Sequence, residues 1–95
     1  TAIFSAWDPG ALAAVSAAKA LGKLDNLVIV GFDGNPANLV AIAEGEQSAT
    51  IKQDNTRMGT ESVQNLLNII KGEDAPAVVP IDGILITADN VAEYQ

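Results

Sequence analysis

The chain has 95 residues, 48% of them hydrophobic, and a formal net charge of −7 from twelve acids against five bases. That length leaves room for one domain at most, and the acidic net charge, without clustered Lys and Arg, argues against a nucleic-acid partner. Cys and His are both absent, which excludes disulfides, thiolate chemistry, the usual zinc donors and a Ser-His-Asp triad.

Read in chain order, the sequence alternates strand and helix signals. Ile3 and Phe4 form a short strand that runs out at Trp7 and Asp8. Asp8-Pro9 then supplies an N-cap followed by a proline at the first helical position, and Gly22 stops the Ala-rich helix. Residues 27–32 are continuously apolar and β-branched, the pattern of a central parallel strand covered on both faces, and they end at Asp33. Asn35-Pro36 opens a second helix with Gly45 as its stop, and Thr50 and Ile51 form a strand that ends at Gln53. A third helix starts at Asp54 or Asn55 and runs to Gly72, with Gly59, Val63, Leu66, Leu67 and Ile70 at helical spacing on one face. After a Pro-bearing link, residues 84–87 form the last strand. No apolar run reaches the roughly 18–20 residues of a membrane span, and no signal-peptide pattern opens the chain, as expected of a mature or truncated one.

Parallel α/β sheets bind ligands beyond the carboxyl ends of their strands. Three strands here end in an indole, a carboxylate and an amide, so Trp7, Asp33 and Gln53 are expected on one rim. An indole lies well on the C–H face of a sugar ring, and the other two groups suit its hydroxyls. A carboxylate accepts from two vicinal hydroxyls, and charged acceptors bond more strongly than neutral ones. Asp8 reads first as the helix cap, and it joins the ligand set because a cap can fix the loop that holds a sugar.

Catalytic motifs are missing. Gly31-Phe-Asp-Gly34 is not a dinucleotide fingerprint, and there is no phosphate-binding loop. Asp33, Asp54 and Asp82 do not fall at calcium-loop spacing. Glu44 with Glu46, and Glu73 with Asp74, lie in polar links and read as solvated charge. The chain is read as a binding protein without cofactor or metal, not an enzyme.

Three stretches, Ala2-Ile-Phe-Ser-Ala-Trp-Asp8, Ile29-Val-Gly-Phe-Asp-Gly34 and Gly45-Glu-Gln-Ser-Ala-Thr-Ile-Lys-Gln53, carry a further signal. With Gly59 and Lys71-Gly72-Glu73, their order resembles the carboxyl-terminal part of the periplasmic sugar-binding proteins of the ribose-binding type. The resemblance covers essentially the whole chain. It implies a small sugar or polyol as ligand, the membrane subunits of an ABC transporter as partner, and a periplasmic parent protein. It also implies that Asp33 and Gln53 stand at positions that contact sugar hydroxyls. Trp7 stands where many members carry Asn, and stacking is the expectation there. The implied fold is a three-layer, parallel-sheet, flavodoxin-like α/β partial lobe of a two-lobed protein. Residues 1–53 and 82–95 would come from the carboxyl-terminal lobe, and residues 54–81 would pack on the amino-terminal one. Such a fragment leaves strand 1 as a bare edge, so self-association and impaired binding are expected of it. Two alternatives share the pattern: an effector-binding domain of the lactose-repressor family, and a flavodoxin-like interaction domain without a small ligand. The first usually carries a Pro-Leu-Thr-Thr-type run where this chain has Gly45-Glu-Gln-Ser-Ala-Thr50.

Overall fold

A computed structural model describes all residues, 1–95. The chain separates into two compact units, Thr1–Gln53 with Ile84–Gln95, and Asp54–Gly83. The first holds strands β1 (Ala2–Phe4), β2 (Val28–Asp33), β3 (Ala49–Lys52) and β4 (Ile84–Thr87), with helices α1 (Asp8–Ala20) and α2 (Pro36–Ala43). The second holds helix α3 (Asn55–Ile70).

The sheet order is β1-β2-β3-β4. β2 is an interior strand, parallel to β1 and to β3, with Ile3 opposite Ile29 and Gly31 opposite Thr50. It begins and ends one residue later than the apolar run suggested. β4 runs antiparallel to β3, with Thr50 opposite Ile86, so the sheet is mixed rather than wholly parallel. Link length does not fix strand direction, and the apolar pattern of residues 84–87 fits either sense.

Both helices of this unit lie on one face. Ala11, Val15 and Ala18 of α1 pack on Ile29, while Leu39 and Ile42 of α2 pack with Ile86 and Val91. Ile29, Gly31, Thr50 and Ile86 share that face through the strand register. The topology explains it: β1 to β2 and β2 to β3 step in the same direction across the sheet, and right-handed crossovers then put both helices on the same side. Side chains on the other face include Phe4, Val28 and Leu85, which are 64%, 49% and 54% exposed. The α/β partial lobe is as expected, but within this unit the helices supply one covering layer and not two. A central strand rich in Val and Ile shows that cover is needed, not which segment provides it.

Local signals set the helix ends. Gly45, at φ 77°, closes α2 in a Schellman motif: the Glu46 and Gly45 amides donate to the Ala41 and Ile42 carbonyls. The same pattern ends α1 at Gly22 and α3 at Gly72. Asp54 caps α3, its Oδ1 accepting from the Arg57 amide at 2.9 Å. At α1 the expectation fails. Trp7 is the N-cap, no side chain caps the helix, and Asp8 is its first residue. α3 is amphipathic as expected, yet it buries no residue, and Val63, Leu66 and Ile70 are exposed.

Candidate functional site

Trp7, Asp33 and Gln53 follow or end β1, β2 and β3, three neighbouring parallel strands, and so stand at one end of the sheet. Trp7 is 61% exposed, outside the core. Its backbone is extended, and the Ser5 hydroxyl donates to its carbonyl at 2.6 Å. Asp33 and Gln53 are half-buried and touch: Gln53 Nε2 donates to Asp33 Oδ1 at 2.7 Å. This bond fixes the carboxylate and turns the amide oxygen of Gln53 away as an acceptor. A hydroxyl can therefore donate to either residue.

Asp33 also departs from ordinary backbone geometry. Its φ is 125°, the one positive value at a residue other than glycine. Strain of this kind costs about 1–3 kcal/mol and concentrates at ligand-holding positions. Gly34 follows at φ 77°, with the stem of Lys52 against it, so the turn after β2 is held in an unusual shape. Asp33→Gly is expected to be more stable than Asp33→Ala by about 1 kcal/mol, because glycine accepts this φ and alanine does not. Urea unfolding with an unchanged m-value checks it. Equal midpoints would show that position 33 stores no backbone strain.

Asp8 is not on the rim. It is fully buried behind it, and both carboxylate oxygens are engaged by the protein. Oδ2 accepts from the Asn35 amide and Oδ1 from the Thr50 hydroxyl, each at 2.7 Å. The Asp8 carbonyl accepts from Asn38 Nδ2, which also donates to Gln47 Oε1, and Gln47 Nε2 donates to the Ala49 carbonyl. The sequence reading missed Thr50, Asn38 and Gln47. Asn38 and Thr50 carry the signal of polar residues in otherwise apolar elements, while Gln47 sits in the polar link before β3 and carries none. A Cβ at Gly31 would collide with Asp8 Oδ1, so this glycine gives the carboxylate its space.

A separate apolar groove of about 390 Å³, lined by Thr1, Ile3, Ala14, Leu21 and Leu27 among others, lies at the opposite sheet end beside β1. It contains none of the rim residues. No cluster of three or more Asp or Glu is arranged to hold a metal ion, and no helix is long and apolar enough to cross a membrane.

Comparison with known proteins agrees with this architecture. The ribose import binding protein RbsB of Escherichia coli K12 is 37% identical over 81 residues, which are 85% of this chain and 27% of that protein. An ABC transporter solute-binding protein of Bacillus halodurans, solved with bound myo-inositol, superposes with a TM-score of 0.79 at 38% identity. The match covers 98% of this chain and 32% of that one. A solute-binding protein of Actinobacillus succinogenes, solved with D-allose, gives a TM-score of 0.87 at 25% identity, over 98% of this chain and 33% of the other. The chain thus spans about a third or less of the relatives it matches. The family described as a periplasmic binding protein domain matches residues 1–74, and with the mixed sheet and its rim this places the chain in the periplasmic binding protein domain family.

Proposed function

We propose that this chain is the carboxyl-terminal part of a two-lobed, non-enzymatic protein that binds a small sugar or polyol in the periplasm and delivers it to an ABC transporter. The observation that carries the reading is the Asp33–Gln53 pair, bonded at 2.7 Å across adjacent strand ends, with Asp33 held at φ 125°. Trp7 supplies an exposed ring at the same sheet end, and the relatives described above include a ribose import protein and proteins solved with inositol and allose. In this proposal residues 1–53 and 82–95 belong to one lobe and residues 54–81 to the other. The other lobe would cover the second face of the ligand. The isolated chain would bind poorly and associate with itself.

Titrating the two-lobed protein with D-ribose, D-allose and myo-inositol tests the reading. At least one is expected to bind with micromolar or tighter affinity, and Trp7→Ala should weaken it about 2- to 12-fold, the equivalent of ~0.5–1.5 kcal/mol for an aromatic contact. Absence of heat or fluorescence change with all three would count against a sugar or polyol site.

A further inference from the structure

Asp8 is fully buried, yet it joins all three segments that carry the rim, lying on one and bonding to the other two. It directly follows Trp7, in the segment that leaves β1. Its Oδ2 holds the Asn35 amide, two residues beyond Asp33, and its Oδ1 holds Thr50, three residues before Gln53. Its carbonyl is tied to Asn38, and through Asn38 to Gln47. We infer that Asp8 is a positioning residue for ligand binding: its carboxylate fixes the relative places of Trp7, Asp33 and Gln53 without touching the ligand.

The chemistry suits the task. A carboxylate accepts bonds from two donors at once, and charge-assisted bonds are shorter and stronger than neutral ones. Burial sharpens the effect, because a charge shut away from water is costly unless both oxygens are satisfied. Displacing either partner is therefore resisted, and the loops are held in one arrangement. Asp8 also lies in the first turn of α1, where the helix dipole favours an anion. Gly31 completes the device, since any side chain there would meet Asp8 Oδ1. Pre-set loops lose less freedom when a ligand binds, so affinity rises without a new contact.

The inference rests on the sugar-site reading, and the test separates the two. In the two-lobed protein, Kd for D-ribose, D-allose and myo-inositol is measured by calorimetry at a temperature where circular dichroism shows each variant folded. Asp8→Ala is expected to weaken every probe that binds the parent at least tenfold, by similar factors, since no single hydroxyl is lost. Asp8→Asn should stay within about threefold: its amide oxygen can accept from the Asn35 N–H while its NH2 donates to Thr50 Oγ1. Gly31→Ala should reproduce the loss by crowding the carboxylate, and should add little to Asp8→Ala, as coupled changes do. Thr50→Val should weaken binding about threefold and decides the matter if Asp8→Ala does not fold. Folded Asp8→Ala or Thr50→Val proteins with parental Kd values, whatever their melting temperatures, would overturn the positioning role. So would a loss confined to one sugar, which marks direct contact. If the parent itself binds none of the three probes, the site reading falls, and the positioning role with it.

Discussion

Replacing Asp33 by alanine in the two-lobed protein is expected to weaken sugar binding by about 30- to 1,000-fold, the equivalent of ~2–4 kcal/mol. Bonds to charged groups exceed neutral ones, and in a closed cleft the hydroxyls that had donated to the carboxylate would be left buried and unpaired. Two local effects act in the same direction. The Gln53 amide loses its 2.7 Å partner and is freed to rotate. Alanine at φ 125° also forces the Asp33–Gly34 turn toward another shape. Titration calorimetry on a folded variant checks the expectation. Unchanged affinity would remove Asp33 from the site and with it the main support for the proposed function.

The 95-residue chain alone is expected to sediment as a dimer or larger species and to bind pentoses and hexoses no more tightly than about millimolar. Two-lobed binding proteins gain affinity by closing on the ligand, so that hydroxyls are desolvated and paired on both sides. One lobe's rim leaves a side of the sugar in water. The same chain exposes Phe4, Val28 and Leu85 on one sheet face, and Val63, Leu66 and Ile70 along α3. β1 is an edge strand with an apolar groove beside it. Exposed apolar area costs about 25 cal/mol per Å², so a few hundred Å² amounts to several kcal/mol. Small domains have only ~5–15 kcal/mol of stability in all. A second copy, through edge pairing or exchange of α3 and β4, is the available cover. Sedimentation velocity across a concentration series decides, and a compact monomer that binds a sugar at micromolar strength would defeat this expectation.

Much of the fold was legible because its signals are local. Gly22, Gly45 and Gly72 end their helices through bonds to residues a few positions back, and the run before Asp33 names its own strand. Trp7, Asp33 and Gln53 could be placed at one sheet end for the same reason: each follows a strand, and parallel strands put their carboxyl ends together. Whether the three bind a ligand is a question that strand position does not answer. What the tertiary structure alone decided depends on residues far apart in the chain. Asp8 looked like a helix cap because only its neighbours were in view. Its side chain instead bonds to groups 27 and 42 residues away, which no local pattern announces. The space that Gly31 leaves for it is equally invisible before β2 meets α1. The gathering of α1 and α2 on one sheet face follows from strand order and crossover handedness, and the antiparallel sense of β4 from the path the chain takes between β3 and β4. Sequence specifies that apolar surface must be buried; the path of the chain through space decides which surface is.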